Sequence, residues 1–252
     1  QVFFPVVENI TVTERFKQLQ YFFQAIKQVP EDLIQDVITR DFNQISLYAK
    51  ACAIYSLLNL KDHNAGQELV ASIFHPNQLI RESAAYVMEK KDPEKLESVL
   101  QRLEPTIVNE IRSSLAHTDQ EIPSLLLQRI RFIKECKRMH KISEDVLLEI
   151  SRALEIQFLN RDEEFLIRRD DVHYAYMIII EGSAEIKISS GKVLTFGKND
   201  IIYSDLFVED NTFSLKAVTD LRLYSLEQEV LNSLMFDFID FRNSVLEIVE
   251  EA

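Results

Sequence analysis

Hydrophobic and polar positions follow two different rhythms along this chain, and the change falls near residue 160. Upstream, apolar residues recur every three or four positions, as one face of an α-helix requires. Phe16, Leu19, Phe23 and Ile26 line such a face in a helix predicted over Thr13 to Lys27. Breakers divide the rest of this part into short helices. These are Glu31 to Thr39 after Pro30, Ile45 to Leu60, Asn64 to Phe74 before Pro76, Asn77 to Lys90, and Pro93 to Leu103. Thr106 to Leu115 comes after Pro105, Ser124 to Met139 after Pro123, and Ser143 caps a helix running to about Leu154. Proline suits these boundaries because it fixes φ and lacks the N–H that a helix interior uses. Acidic Glu144 and Asp145 in the first turn after Ser143 favour a helix start there.

Downstream the period shortens to two. Ala184, Ile186 and Ile188 alternate with Glu185 and Lys187, which is the pattern of a strand with one buried face. Strands are predicted at Glu155 to Leu159, Glu164 to Ile167, Tyr176 to Glu181, Ser183 to Ser189, Lys192 to Phe196, Ile201 to Tyr203, Thr212 to Val218 and Arg222 to Leu226. Gly182, Gly191 and Gly197 mark tight turns between them. Eight short strands with regular turns predict a double-sheet roll. A single closing helix is predicted over Glu227 to Glu250, with Val230, Leu231, Leu234, Phe238, Phe241, Val245 and Ile248 on one side.

Composition narrows the possible partners. Hydrophobic residues make up 46% of the 252 positions, enough for a packed core. The net charge of −13 opposes nucleic-acid binding, which depends on Lys and Arg displacing counterions. The most basic stretch, Gln128 to Lys141, is interrupted by Glu135 and reads as a solvated helix face. The longest apolar run, Met177-Ile178-Ile179-Ile180, is far short of the roughly 20 residues of a membrane span. Gln1-Val2-Phe3-Phe4-Pro5 has no initiator Met and no basic leader, so a piece of a longer protein is expected. Cys52 and Cys136 sit among apolar neighbours and read as buried thiols in a reducing compartment. The five histidines have no metal-ligand spacing, and no phosphate loop, zinc-protease or serine-hydrolase motif occurs. No catalytic residue, metal or cofactor is therefore expected. Phe236, Phe238 and Phe241 give the last helix an aromatic side that suits either core packing or a docking partner.

Two helices in the first part resemble each other. Ala51-Cys52-Ala53-Ile54 and Ser83-Ala84-Ala85-Tyr86 lie about 30 residues apart, a period that marks stacked helical hairpins. The stretch from Phe74 to Tyr86 resembles a HEAT repeat, with Ile80-Arg81 and Ala84-Ala85 in the places of the family's apolar-Arg pair and small residues. The resemblance extends over about residues 31 to 120 and implies an α-solenoid, which stacks hairpins to build its core and offers a concave surface.

The second part resembles the cyclic-nucleotide-binding domain family over about residues 140 to 250. The likeness rests on Ile142 to Leu147 for the leading helix, Met177 to Gly182 for the apolar strand and glycine turn, and Gly191, Val193, Leu194 and Gly197 for the next hairpin. Lys216 to Leu223 matches the penultimate strand and turn. The resemblance implies a cassette in which an arginine and backbone N–H groups at a short helix hold a cyclic phosphate, while a Gly-Glu pair takes the ribose. Here the cassette, Asn199 to Ser214, has no glycine, and no Arg or Lys lies between Asn199 and Lys216. Asn211 stands roughly where the arginine belongs and Asp205 near the glutamate, among Asp200, Glu209 and Asp210. Asp162 and Arg169 lie near two earlier turns where the family uses glycine. Tyr203, Ser204, Asp205, Asn211 and Thr212 are the candidate ligand residues of this degenerate cassette.

These readings predict an α+β chain. A HEAT-like α-solenoid occupies residues 1–139, and a double-stranded β-helix or jelly roll of the cyclic-nucleotide-binding type, with flanking helices, occupies 140–252. The expected role is a non-enzymatic regulatory or protein–protein interaction module in the cytoplasm. The alternative is a sensor whose roll binds a cyclic nucleotide or other metabolite and moves the last helix. The expected partner is another protein or the rest of a longer chain, not nucleic acid and not the bilayer interior. A small-molecule ligand other than cyclic AMP stays open. Helical repeats followed by such a roll resemble the soluble tail of bacterial transporters of the ATP/ADP-carrier type in the major facilitator superfamily, an analogy of architecture.

Overall fold

The computed structural model describes residues 31–39, 45–60, 66–116, 123–168, 174–188, 191–204 and 212–250. The helix predicted over Thr13 to Lys27 lies outside them. The chain divides into two compact units, residues 1–128 and 129–252.

The first unit is helical. Its elements are α1 (Glu31–Thr39), α2 (Leu47–Ser56) continued by a 3-10 turn (Leu57–Asn59), α3 (Gln67–Ile73), α4 (Gln78–Lys91), α5 (Pro93–Leu100), α6 (Pro105–Leu115) and the start of α7 (Leu126–Glu135). Caps account for several starts. Ser46 accepts from the Ala49 N–H, Asn77 from Leu79 and Asp92 from Lys95, and Pro93 and Pro105 stand in first turns.

The long central helix α4 packs against α2, α3, α5 and α6. The two helices with similar sequences, α2 and α4, lie directly on one another. Their small residues Ala51, Ala53, Ala84 and Ala85 are buried, and the Tyr55 and Tyr86 rings stack with centroids 5.4 Å apart. Small side chains permit this close approach, and the fully buried Ile54, Leu79, Ile80 and Met88 fill the space around them at about 1.5–3 kcal/mol each.

Two charged residues of α4 are also buried. Arg81 Nη1 donates to the carbonyls of His75 (3.1 Å) and Pro76 (2.6 Å), and its Nη2 pairs with Glu110 at 2.6 Å. The Glu82 carboxylate accepts from Gln78 (2.8 Å), Ser114 (2.6 Å) and the Leu126 N–H (2.9 Å). A helix start leaves its first N–H groups without intrahelical acceptors. Here one of them, at the start of α7, is satisfied by a side chain 44 residues away.

In the second unit α7 ends at Glu135 rather than at the expected Met139. Arg138 takes φ 75, and a 3-10 turn (Met139–Lys141) comes next. The left-handed Arg138 lies three residues past the end of α7 and leads into that turn. The next helix, α8 (Glu144–Ala153), has Ser143 at its cap position in extended geometry, yet the Ser143 side chain makes no capping hydrogen bond. The acidic first turn, Glu144 and Asp145, supplies the favourable charge instead.

Among the described residues eight strands form the roll: β1 (Glu155–Leu159), β2 (Glu164–Arg168), β3 (Tyr176–Glu181), β4 (Ala184–Lys187), β5 (Val193–Phe196), β6 (Ile201–Tyr203), β7 (Thr212–Ala217) and β8 (Leu221–Leu226). They form two antiparallel four-stranded sheets, ordered β1-β8-β3-β6 and β2-β7-β4-β5. The interior cluster draws on both sheets. Met177, Ile179 and Leu223 come from the first sheet; Ile186, Phe213 and Leu215 come from the second.

The sheets differ in how they meet water. In β3 and β8 both faces are covered, because Tyr176 and Tyr224 point away from the interior and meet Phe241 and Phe132 edge-on. That is why Met177-Ile178-Ile179-Ile180 is an unbroken apolar run. The second sheet alternates, with Ala184 and Ile186 inside and Glu185 and Lys187 outside.

The closing helix is broken, against the single helix predicted. α9 (Gln228–Asp237) and α10 (Ile239–Glu250) are separated by Phe238 at φ −123, ψ 99. One periodic apolar pattern continues through the break, so periodicity alone does not reveal it. Among the described residues no helix is long and apolar enough to cross a membrane.

Candidate functional site

The site expected from the sequence lies between β6 and β7. Of its five residues the structure brings Tyr203 and Ser204 together and ties both to the start of β3. Tyr203 is buried and pairs in register with Tyr176, ring centroids 6.4 Å apart. Ser204 donates twice to the Ala175 carbonyl, from its backbone N–H (3.0 Å) and from its hydroxyl (3.1 Å). Both side chains thus hold β6 against β3. Asp205 and Asn211 lie outside the described residues. Thr212 begins β7, opposite Arg168 in the ladder.

The space the two sheets enclose is apolar. The residues packed there are Leu159, Ile167, Met177, Ile179, Ala184, Ile186, Ile202, Phe213, Leu215, Ala217, Leu221 and Leu223. The cations of the neighbouring strands face the other way. Lys216 Nζ lies 3.2 Å from Asp162 and Arg222 lies 2.9 Å from Glu181, each pair at least partly exposed. Alternation along the strand dictates this: with Leu215 and Leu223 inside, Lys216 and Arg222 point outward.

Two turn positions take left-handed backbone, Gly182 at φ 87 and Asp162 at φ 64. Asp tolerates that region better than most residues. Arg169 lies outside the described residues. Asn199, just before β6, is a third left-handed position, at φ 69.

Sequence reasoning missed a cluster behind the first sheet. Arg129 of α7 donates to the carbonyls of Ser151 (3.0 Å) and Leu154 (2.9 Å), and its guanidinium stands 5.5 Å from the centre of the Tyr224 ring. One planar cation thereby satisfies carbonyls at the end of α8 and covers a buried aromatic. Lys134, also on α7, is buried and pairs with Glu144 at the start of α8. A helical pattern with basic residues on it suggested only a solvated face; the signal is visible only once α8 lies alongside.

Burial governs the titratable groups here. It pushes the Cys136 thiol up to about 12, with Glu135 and Asp200 adding to the effect, so Cys136 stays a protonated thiol. Burial likewise raises Tyr176 and Tyr224, with Arg129 opposing the rise at Tyr224. Cys52 is buried as well. Among the described residues no group of three His, Cys, Asp or Glu is placed to hold a metal ion.

No protein-family model matches the chain, and no curated protein matches it. Among solved structures it is similar to the sensor domain of the transcriptional regulator DNR from Pseudomonas aeruginosa, at 13% identity and a TM-score of 0.41, over 48% of this chain and 91% of that one. It is also similar to the regulatory domain of Toxoplasma gondii PKA crystallised with cAMP, at 16% identity and a TM-score of 0.42, over 50% of each chain. A third is the Thermus thermophilus Catabolite Activator Protein, at 15% identity and a TM-score of 0.38, over 45% of this chain and 56% of that one. The chain spans about half the length of the last two.

Proposed function

We propose that this chain is a regulatory or protein–protein interaction module, with HEAT-like hairpins over residues 1–139 and, over 140–252, a roll of the cyclic-nucleotide-binding type that no longer holds a cyclic phosphate. The observation that carries the reading is the apolar interior between the sheets, beside a cassette sequence without arginine, lysine or glycine. A charge-assisted hydrogen bond to a phosphate contributes roughly 1.5–3 kcal/mol. Its loss removes about one to two decades of affinity, and an anion facing carboxylates and apolar side chains loses more. Tyr203, Ser204, Asp205, Asn211 and Thr212 are in this reading the vestige of the cassette. The order of helical hairpins before a roll further suggests a cytoplasmic portion of a larger protein, such as a transporter tail.

Thermal unfolding in the presence of cyclic AMP, cyclic GMP and ATP tests the reading. No stabilisation is expected. A ligand at 100 times its dissociation constant would add about 2.7 kcal/mol. A saturable rise of that size with a cyclic nucleotide would overturn the lost site and favour the sensor.

A further inference from the structure

An exposed apolar stripe runs along α10, and Phe236 at the end of α9 is exposed as well. In α10, Phe241, Ser244 and Val245 are buried, while Ile239 and Leu246, two turns apart, lie on the opposite side. Ile239 is 60% exposed and Leu246 46%, and Phe236, three residues before Ile239 across the Phe238 break, is 84% exposed. An 84%-exposed phenylalanine contributes almost nothing to the core it is attached to.

The rim of this stripe is acidic. Asp237, Asp240 and Glu247 are exposed beside it, and Asp240 and Glu247 again stand two turns apart, on one flank. Arg242 is the exposed cation of α10 among the described residues, on the other flank. Glu247 also lies 3.9 Å from Lys141, a half-exposed pair of little energetic weight.

Resting on the reading of this chain as an interaction module, we propose that Phe236, Ile239 and Leu246 form the docking face for an amphipathic helix of a partner protein whose apolar anchors are flanked by Lys or Arg. Charge selects this occupant. Apolar anchors would fill the stripe, and basic flanks would meet the carboxylates with complementary potential. A second copy docking across a two-fold axis would bring the same three carboxylates against their own images, on a chain already at −13.

The test uses the full chain and a Leu/Lys amphipathic helical peptide as probe, with a Leu/Glu peptide of the same pattern as control. Saturable binding of the Lys peptide alone is expected, weakening with salt. The double variants Ile239→Ser with Leu246→Ser, and Asp240→Lys with Glu247→Lys, should each weaken it by about tenfold or more while leaving the thermal midpoint in place. Absence of binding, or equal binding of both peptides, overturns the proposal. Binding of the Lys peptide that neither double variant changes overturns this face but leaves the interaction-module reading standing. Self-association in sedimentation that Ile239→Ser with Leu246→Ser abolishes overturns the occupant in favour of a second copy.

Discussion

At Gly182 one missing methyl group decides whether the β3–β4 turn can form. A Cβ there would stand 2.3 Å from the Asp220 carbonyl oxygen, and φ is +87. Gly191 has a similar φ of +83 but open space around it. Gly182→Ala is therefore expected to cost at least about 2 kcal/mol, against about 1 kcal/mol for Gly191→Ala, which carries only the conformational strain. Urea midpoints of the two variants check the order, and equal losses would contradict it.

His75 makes a second prediction at this scale. Its Nδ1 accepts the Asn77 N–H at 3.0 Å, and burial with nearby Lys50 and Arg81 holds its pKa below the usual 6.5. The unfolded chain then takes up a proton at a pH where the folded chain does not. Stability contributed at this site is complete above 6.5 and falls as acidification passes downward toward the folded value. The stability advantage of wild type over His75→Gln should shrink between about pH 7.5 and 5.5, measured by urea unfolding at each pH. A constant difference would show that His75 does not titrate in this way.

Among the elements, α7 depends on a residue that its own sequence does not contain. Glu82 of α4 accepts the Leu126 N–H and also serves Gln78 and Ser114. Glu82→Ala leaves these donors without that acceptor and opens a cavity, at an expected cost of about 3 kcal/mol. Glu82→Gln keeps the volume but turns an amide N–H toward a donor, so it should recover only part of the loss. Amide exchange at Leu126 should accelerate in the alanine variant, and an unchanged rate would show that the bond does not protect the start of α7.

For the whole molecule, the two sheets and the net charge bear on function together. Closing the sheets on Ile179, Ile186, Phe213, Leu215 and Leu223 fills the interior and turns Lys216 and Arg222 outward into pairs with Asp162 and Glu181. A phosphate approaching the β6–β7 segment therefore meets a negative field from the chain at large and a cassette sequence with Asp200, Asp205, Glu209 and Asp210. A negative field of that kind attracts cations and repels anions.

Within the described residues the sequence by itself determined whether a segment is helix or strand. Alternation in β4, apolar or β-branched runs elsewhere and the turn residues between them placed the eight described strands within a residue or two. Helical spacing and proline placed most helices for a similar local reason. Only the tertiary structure decided what these elements do to one another. It set the break at Phe238, the end of α7 at Glu135, the role of Glu82 at a distant helix start and the clamp of Arg129 on α8 and Tyr224. Each of these depends on packing against partners elsewhere in the chain, so no local pattern encodes it. The candidate site divides in the same way. That no Arg or Lys lies between Asn199 and Lys216 was legible in the sequence, whereas the use of Tyr203 and Ser204 to hold β6 to β3 depends on which strand lies alongside.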